Sequence, residues 1–488
     1  MNAPADAPPA TSIDANVSAQ QPSRTRYWVI VFAVALAVIQ YIDRVCISKA
    51  APTMQDKLGL TKDDMGTIFS AFTLAYALFE IPGGWLGDRF GPRKILLRVV
   101  CWWSFFTAAT GWSAWIASLF KVGDAAIYLG FADRTTSLRI ASLSTLVAVR
   151  FLFGAGEAGC FPNITRAFMN WLLPHERVRA QSVLWLCARW GGAITPALLT
   201  IVLQWVTWQN SFVLFGCFGL VWAVLFFIWF RDDPKDHRGV NAAEKRILAP
   251  NAAYAHGHGK VPWGVFLSSR TAWMLWLQYA CLSYVWYFYV TWLPTFIKES
   301  YGATRSDMVQ SLLAGVPLFC GGIGSFFSGF IAAKLSNLVG GMANTRKILS
   351  VGGFLCMGLS IFLASRLKQP EAVLASFGAA SFFGDLAMPC SWGTCMDIGG
   401  RFAGTLSGSM NMTGNLGGAL SSYVLPYILR LASNEWRFVF YTYAATCVVG
   451  AISWMLIDTE TPLDGRTNRV ARSEPEPEDK PAEMIEEL

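Results

Sequence analysis

The hydrophobic residues of this chain fall into long, nearly unbroken runs that are separated by short polar stretches. The first such run, at 29–39, contains only Val, Ile, Phe, Ala and Leu. About 20 apolar residues are enough to cross a membrane as an α-helix, whereas the strands of a membrane barrel alternate apolar and polar residues. The pattern predicts an all-α integral membrane protein with twelve transmembrane helices. The predicted spans are 27–47, 64–86, 95–113, 143–166, 179–204, 210–230, 272–296, 309–333, 347–366, 372–397, 402–430 and 437–457.

The longest hydrophilic interruption between spans divides the helices six and six. It predicts a linker at 231–271 between two six-helix halves, 27–230 and 272–457. The fifth span contains "ARWGGAITP" and the eleventh contains "GNLGGALSSYVLP". Aligning their glycine pairs places Trp185 opposite Asn411 and Arg189 opposite Asn415. The six-span spacing indicates two pseudo-symmetric repeats, a common transporter plan with the substrate site between the halves.

The flanking segments predict the orientation of the chain in the membrane. Residues 1–26 are rich in Ala, Pro, Ser and Gln, and residues 458–488 are acidic and rich in Pro, so both are predicted to be disordered tails. Basic clusters before the first span and after the second fall on the same side as both termini, which predicts that this side is cytoplasmic. We therefore expect a multi-pass protein of the inner (plasma) membrane. A long loop at 114–142 is interpreted as an insertion on the outer side.

Composition narrows the function class. Only 15% of the 488 residues are charged, against about 25% in soluble domains, while 54% are hydrophobic. No basic stripe with interleaved aromatics indicates nucleic acid. The 11 cysteines lie mostly alone inside apolar runs and the four histidines lie in loops, so we expect no metal site, no cofactor and no enzymatic centre.

Charged residues inside predicted spans are the strongest functional signal. An ionised residue at a helix centre costs about 2.5–3.5 kcal/mol, so it is expected to face protein, water or a ligand. Asp43 and Arg44 follow the first apolar run in "YIDR", and Arg150 and Glu157 lie seven residues apart on one helix face. The alternatives are that the first pair anchors the helix at the interface, that Arg150 extends to the membrane surface, and that Arg189 only packs against Trp190.

Two arginines and two acids suggest a mechanism. A guanidinium group binds a carboxylate through two parallel hydrogen bonds, and an acid that exchanges an arginine partner for a proton would tie anion binding to proton uptake. Neutral polar groups would suit a polyhydroxylated ligand, although aromatic side chains at helical spacing more often serve packing. The neutral candidates are Tyr41, Tyr76, Tyr287, Ser391, Trp392, Asn411 and Asn415. Because the second half has far fewer intramembrane charges, we expect the acidic end of the ligand to lie against the first half.

The stretch "GGWLGDRFGPRK" at 83–94 lies at a helix junction and is interpreted as a conformational latch. Its glycines would permit a tight turn, and Asp88 is expected to cap a helix or pair with a neighbouring base. The predicted latch residues are Gly87, Asp88, Arg89, Gly91, Arg93 and Lys94.

These motifs together resemble the major facilitator superfamily, and more narrowly its anion:cation symporter family of sugar-acid and organic-anion permeases. The residues that carry the resemblance are "YIDR", "FSAFTLAYALFEIPGGWLGDRFG", "RFLFGAGEAG", "WLP" and "GNLGG". The resemblance implies the major facilitator fold, alternating access and, as in bacterial sugar-acid members, proton-driven uptake. It also implies that Asp43 and Glu157 are proton-coupling acids. The substrate-side residues it implies are Arg44, Arg150, Tyr41, Tyr76 and Tyr287. Arg189 departs from the glutamine of galactonate-type members.

The sequence therefore predicts a monomeric, proton-coupled importer of a small organic anion in the lipid bilayer. A sugar acid such as a hexonate, hexuronate or glucarate is expected, and Arg189 favours a dicarboxylate or a longer acid. The alternatives are an exchanger or an aromatic or dicarboxylic acid permease of the same family, and a sensor that binds the anion without moving it.

Overall fold

The structure, a computed structural model, describes residues 21–119, 134–251, 261–293, 296–297, 299 and 307–463. Within this part of the chain the secondary structure is helical throughout and includes no strand. The helices of the first half are α1 (Trp28–Leu58), α2 (Lys62–Phe90), α3 (Pro92–Gly111), α4 (Ser113–Leu119), α5 (Arg134–Glu157), α6 (Cys160–Trp171), α7 (Pro174–Val202) and α8 (Trp208–Trp229). Two short helices follow, α9 (Ala242–Leu248) and α10 (Trp263–Ser268). The second half contains α11 (Arg270–Thr291), α12 (Asp307–Leu338), α13 (Met342–Ala364), α14 (Pro370–Gly399), α15 (Ala403–Leu431) and α16 (Trp436–Met455).

Each of the twelve predicted spans overlaps one of the long helices or the α5–α6 pair. By length and composition, eight stretches of the described residues are able to cross a membrane, and the α3–α4 pair, bent by 82°, would be a ninth. One of the eight, Pro370–Leu431, holds both α14 and α15. Helices α7 and α11 are absent from that set although they match predicted spans. Helix α11 alone carries four tyrosines and three tryptophans, several of which face a cavity described below.

The fourth membrane helix starts earlier than predicted. The expected span begins at 143, whereas α5 begins at Arg134, so both ends of the presumed 114–142 loop are helical. The Nε atom of Arg139 lies 2.7 Å from Oδ2 of Asp64, and this ion pair holds the first turns of α5 beside the start of α2. The centre of the predicted insertion, 120–133, lies outside the described residues.

We call the face that contains the start of α1 and the end of α16 the termini face. Arg26 contacts both Glu176, in the first turn of α7, at 3.0 Å and Glu244, on α9, at 2.9 Å. Ser23 also donates a hydrogen bond to Glu244. Residues 21–26, which the sequence assigns to a disordered tail, therefore pack on the linker in this structure. The remainder of both predicted tails, 1–20 and 464–488, lies outside the described residues.

The α2–α3 junction differs in detail from the expected latch. Gly91 makes the turn with a φ of 87°, as its role in a tight turn requires. Gly87 serves a different purpose, because a Cβ there would lie 1.9 Å from the Asn163 side chain. Of the two roles expected for Asp88, the structure shows the helix cap and not the pairing with a base of its own junction. Its carboxylate accepts hydrogen bonds from the backbone N–H groups of Gly404 and Thr405 and from the Thr405 hydroxyl, in the first turn of α15 in the other half.

The other predicted latch residues are held at the surface of the first half. Arg89 lies over the Trp85 and Phe90 rings. The backbone N–H of Arg93 donates to Asp232 at 2.8 Å, which ties the start of α3 to the segment after α8. The basic residue beside the Asp88 carboxylate is Arg166, on α6, whose Nε atom lies 3.8 Å from it.

Candidate functional site

A cavity lies between the two halves near the middle of the long helices. The space between its walls, including its mouth, is about 500 Å³. The first half contributes Tyr41, Arg44, Tyr76, Phe161, Trp185 and Arg189, and the second half contributes Tyr279, Leu282, Ser283, Trp286, Tyr287, Met388, Asn411 and Asn415. Seven of these fourteen residues are predicted site residues: Tyr41, Arg44, Tyr76, Arg189, Tyr287, Asn411 and Asn415.

The internal repeat explains how two of the wall residues are positioned. A Cβ on Gly192, in α7, would lie 2.9 Å from the Tyr41 ring, and a Cβ on Gly418, in α15, would lie 2.1 Å from the Tyr287 ring. The second glycine of each repeat thus lets a tyrosine of α1 or α11 lie directly against the neighbouring helix. The same alignment pairs Trp185 with Asn411 and Arg189 with Asn415, and all four side chains line the cavity.

Arg44 is one of two basic residues of the first-half wall, with Arg189. Its Nε donates to Oε1 of Glu157 at 2.7 Å, and its guanidinium carbon lies 4.3 Å from the centre of the Tyr76 ring. Its Nη2 atom and the second carboxylate oxygen of Glu157 are buried and have no hydrogen-bond partner among the described residues. The pair is therefore incompletely satisfied, which leaves hydrogen-bonding capacity for a ligand or water.

A break between α5 and α6 places Glu157. Helix α5 ends at Glu157, and α6 begins at Cys160 after Gly159 adopts a φ of 84°. The break also brings Gly159 against Gly83 of α2, since a Cβ on either glycine would lie 2.6 Å from the Cα of the other. This close approach allows the Glu157 carboxylate to reach Arg44 on α1.

Asp43 and Arg150 form a second buried polar group behind the cavity wall. Both side chains are at most 2% exposed, and Asp43 interacts electrostatically with Glu157 and Arg150. The Thr107 hydroxyl and the Trp103 indole, both on α3, also face the Asp43 carboxylate. The Arg150 guanidinium lies 4.2 Å from the Phe153 ring and 5.0 Å from the Phe72 ring. Arg150 is therefore not a wall residue of the cavity in this state, although the sequence predicts a substrate contact.

The second-half wall is largely neutral. The Tyr287 hydroxyl donates to Oδ1 of Asn415 at 2.8 Å, and the Asn415 amide donates to the backbone of Asn411 at 2.9 Å. The Asn411 amide also crosses between the halves and donates to Glu80 at 2.7 Å. Amide and phenol groups can both donate and accept hydrogen bonds, as hydroxylated ligands require.

The partner of Arg189 was not predicted from the sequence. Its Nε and Nη2 atoms donate to the two carboxylate oxygens of Asp385, on α14, at 3.0 and 2.9 Å. Asp385 could have been identified from the sequence, because it is the acid in the apolar run "SFFGDLAMP" of the tenth predicted span. The alternative that Arg189 only packs against Trp190 does not hold either: Trp190 stacks on Phe319 at 5.1 Å, while Arg189 lies over Trp286 at 4.6 Å.

Ser391 and Trp392 lie beneath the cavity and do not line it. The Trp392 indole donates to the Tyr279 hydroxyl at 3.1 Å, and Ser391 exchanges hydrogen bonds with Gln278. Both side chains are fully buried. They support α11, whose Tyr279 does reach the cavity.

Several aromatic wall residues were not singled out from the sequence. Phe161 stacks on Trp185 with ring centres 4.7 Å apart, and Trp286 lies on the opposite wall. Aromatic residues recur throughout these helices, so the sequence does not separate those of the wall from those of the core. No group of three or more potential metal ligands occurs among the described residues.

Contacts between the halves close the cavity towards the termini face. Along α2 and α15 they run from Asp88 with Thr405, through Gly84, where a Cβ would lie 2.2 Å from the Gly404 carbonyl oxygen, to Glu80 with Asn411. At the same face Arg177 of the first half pairs with Asp397 of the second at 2.7 Å.

Comparison with known proteins identifies the architecture. Residues 33–422 match the sequence model of the Major Facilitator Superfamily. The chain is 30% identical over 456 residues to a probable sulfoacetate transporter of Cupriavidus necator, covering 91% of this chain and 96% of that protein. It is 29% identical over 427 residues to a probable galactarate/D-glucarate transporter of Escherichia coli, covering 84% and 89%.

The fold is also that of solved structures in this group. The proton:xylose symporter XylE bound to 6-bromo-6-deoxy-D-glucose superposes with a TM-score of 0.69 at 13% identity, covering 90% of this chain and 98% of that one. The predicted major facilitator fold is thereby confirmed, and the sequence relatives confirm the resemblance to the anion:cation symporters. The chain belongs to the Major Facilitator Superfamily.

Proposed function

We propose that this protein takes up a small organic anion together with protons by alternating access. As a member of a transporter family, it is a transport protein and not an enzyme. The observation that carries the proposal is Arg44, a guanidinium group at the wall of a membrane cavity. Its Nε atom donates to Glu157, and its Nη2 atom has no hydrogen-bond partner among the residues that the structure describes. A carboxylate or another oxyanion would complete its hydrogen bonding.

A sugar acid fits the two walls of the cavity. Its acidic end would bind Arg44 beside Tyr41 and Tyr76, and its hydroxyl groups would bind the amide and phenol groups of Asn411, Asn415 and Tyr287. The relatives named as sulfoacetate and galactarate/D-glucarate transporters support an organic anion as the cargo. The division between a basic wall and a neutral wall favours a ligand with both an acidic and a hydroxylated part.

Proton coupling would follow from the shared partner of Arg44. When an anion binds Arg44, it neutralises part of the positive charge that stabilises the Glu157 carboxylate. A buried carboxylate without a partner is unfavourable unless it binds a proton. Asp43 provides a second buried acid that interacts with Glu157 and Arg150. We assign the proton-coupling role to these two acids, with Arg150 acting on Asp43 from behind the wall.

The structure would represent the state that is open away from the cytoplasm. Basic residues cluster at the termini face, which favours a cytoplasmic location for that face in the inner membrane. The contacts of α2 with α15 would separate when the cavity opens to the cytoplasm, with 27–230 and 272–457 moving as two halves. We propose that Asp88 and the α2–α3 junction, which join those halves, act as the latch of this motion.

The test is transport by the purified protein in liposomes. A thermal-shift screen against sugar acids and aromatic acids selects a ligand, and its uptake is then measured with an imposed pH gradient. Wild type is expected to concentrate the anion, whereas Glu157→Gln is expected to lose accumulation and to keep part of its exchange activity. Glu435→Gln, at an exposed acid beside Arg437, serves as the matched control.

The outcomes separate the alternatives. Accumulation by Glu157→Gln equal to that of wild type would remove Glu157 from proton coupling. Exchange without accumulation in wild type would indicate an exchanger, and binding without any flux would indicate a sensor. Exchange without accumulation, or binding without flux, would overturn the proposed proton-coupled uptake.

A further inference from the structure

We propose that Arg189, held by Asp385, forms a second anion subsite that makes the cavity selective for ligands with an acidic group at both ends. This inference rests on the proposed function and narrows its substrate class. The second acidic group would be a carboxylate or a sulfonate, since both present oxyanion oxygens to a guanidinium group.

The geometry leaves one nitrogen of Arg189, Nη1, for a ligand. Its Nε and Nη2 atoms are used by Asp385, whereas Nη1 donates no hydrogen bond to any described residue. The side chain reaches the cavity wall, where the Trp286 ring lies 4.6 Å from the guanidinium carbon. A hydrogen bond from this nitrogen to an oxyanion would be charge-assisted and therefore stronger than one between neutral groups.

The two guanidinium groups line the same cavity. Tyr41 lines it as well and interacts electrostatically with both Arg44 and Arg189. A ligand that binds both arginines would lie within this cavity, where neutral polar residues such as Tyr41 can contact its central part. A short chain with hydroxyl groups between two acidic ends matches this lining.

Asp385 is a positioning residue in this arrangement. A Cβ on Gly321, in α12, would lie 2.3 Å from Oδ2 of Asp385, so the carboxylate lies directly against the backbone of α12. Its backbone carbonyl also accepts a hydrogen bond from Ser325 at 3.4 Å. The carboxylate is therefore fixed on the side away from the cavity and orients the planar guanidinium group of Arg189.

A purely structural role is the weaker interpretation of the pair. Arg189 and Asp385 join the two halves, but a buried ion pair contributes little net stability compared with well-packed apolar residues. Helices α7 and α12 are already in close contact elsewhere, because a Cβ on Gly329 would lie 2.5 Å from the Ser182 hydroxyl oxygen. A cavity-facing arginine is explained more directly by a ligand.

The experiment compares D-gluconate and D-glucarate, which share six carbons and differ by the second terminal carboxylate. Each competes for uptake of radiolabelled D-gluconate by the full-length protein in liposomes, and sulfoacetate is measured as the sulfonate counterpart. The double variant Arg189→Gln/Asp385→Asn removes both charges together, so no buried charge is left unpaired. The control pair is Arg177 with Asp397, which also joins the halves but at the termini face; Arg177→Gln breaks it and leaves Asp397 paired with Arg346.

Wild type is expected to prefer glucarate over gluconate by roughly tenfold or more, as one additional charge-assisted hydrogen bond would provide. The Arg189/Asp385 double variant is expected to reduce this ratio to about one while gluconate still competes. The Arg177→Gln control is expected to change the transport rate for both acids and to leave their ratio as in wild type.

Three results would overturn the subsite. They are equal competition by the two acids in wild type, an unchanged ratio in a stably folded Arg189/Asp385 double variant, and an equal loss of preference in the Arg177→Gln control. If wild type takes up none of the acids, the proposed function itself fails, which is a different outcome from uptake without selectivity. Preference for sulfoacetate over glucarate would retain the subsite and assign its second oxyanion to a sulfonate.

Discussion

At the scale of single residues, charges that lipid would not accept lie together beside the cavity. Arg44 and Glu157 come from different helices and meet at 2.7 Å, while Nη2 of Arg44 and Oε2 of Glu157 have no hydrogen-bond partner among the described residues. Buried polar groups are normally hydrogen-bonded, so we expect an additional partner to bind Arg44.

The first prediction concerns the shape of the Arg44 side chain. Arg44→Lys is expected to weaken anion binding roughly 10- to 100-fold, because lysine keeps the charge but loses the planar fork that binds an oxyanion. The ligand dissociation constant of the purified protein is the measurement, with Arg366→Lys, which lies over the Phe362 ring away from the cavity, as control. Equal affinities of Arg44→Lys and wild type would exclude Arg44 from the site.

Most charged residues of the region were predictable from the sequence, but their partners were not. An acid or base inside an apolar run stands out by its cost, which is why Asp43, Arg44, Arg150 and Glu157 were found. Asp385 satisfies the same criterion and was overlooked. The separation of Arg150 from the cavity depends on side-chain packing against Phe72 and Phe153, which helical spacing does not reveal.

At the scale of helices, glycines decide how closely the walls approach. Helix positions were predictable because long apolar runs mark them. The break at Gly159 and the early start of α5 were not, since both depend on contacts with α2: Gly83 in one case and Asp64 in the other.

Gly418→Ala tests the positioning of Tyr287. The added Cβ would lie 2.1 Å from the Tyr287 ring, so the ring must move from the cavity wall, and overpacking of this kind costs about 1–3 kcal/mol. Ligand affinity is expected to fall, and less so in Gly192→Ala, whose Cβ would lie 2.9 Å from Tyr41. Gly352→Ala, with no atom within 4 Å of the new Cβ, is the control. Unchanged affinity in Gly418→Ala would mean that Tyr287 does not contact the ligand.

Gly84→Ala tests the contact between α2 and α15. A Cβ at this position would lie 2.2 Å from the Gly404 carbonyl oxygen, so the substitution disfavours the state in which the two helices touch. Hydrogen exchange of the backbone at 400–406 is expected to accelerate, because the closed state loses about 1–3 kcal/mol relative to the open one. Gly66→Ala, whose new Cβ would meet no atom within 4 Å, should exchange like wild type. Unaltered exchange in Gly84→Ala would show that this contact does not control opening of the termini face.

At the scale of the whole molecule, polar contacts at the termini face connect the N-terminal segment, the linker and both halves. Arg26 contacts Glu176 and Glu244, and Arg177 and Arg346 both pair with Asp397. The division into twelve helices followed from hydropathy. This network did not, because its members are ordinary charged residues of loops and helix ends and only the folded chain brings them together.

The network predicts a pH dependence of stability. Burial alone would raise the pKa of Glu176, but hydrogen bonds from Arg26 and Tyr27 outweigh it and hold the pKa below its usual value. A carboxyl group whose pKa is lower in the folded than in the unfolded protein stabilises the folded state at pH values above its unfolded pKa of about 4.3. This stabilisation is lost as the pH falls through its pKa in the folded state.

Glu176→Gln is therefore expected to lower the Tm by roughly 1–4 °C at pH 7, with the difference from wild type shrinking below about pH 4.3. Thermal unfolding of the detergent-solubilised protein across this range is the measurement. A Tm difference that stays constant with pH would indicate that Glu176 contributes by packing and not by its charge.

The central claim is that guanidinium and carboxyl groups from separate membrane helices meet at one cavity between two six-helix halves and bind an organic anion there. The most direct test is an experimental structure of the protein with a transported acid bound. The carboxylate of the ligand is expected at about 3 Å from the Arg44 guanidinium, between α1 and α15. A ligand bound elsewhere, or Arg44 and Glu157 turned towards the lipid, would contradict it.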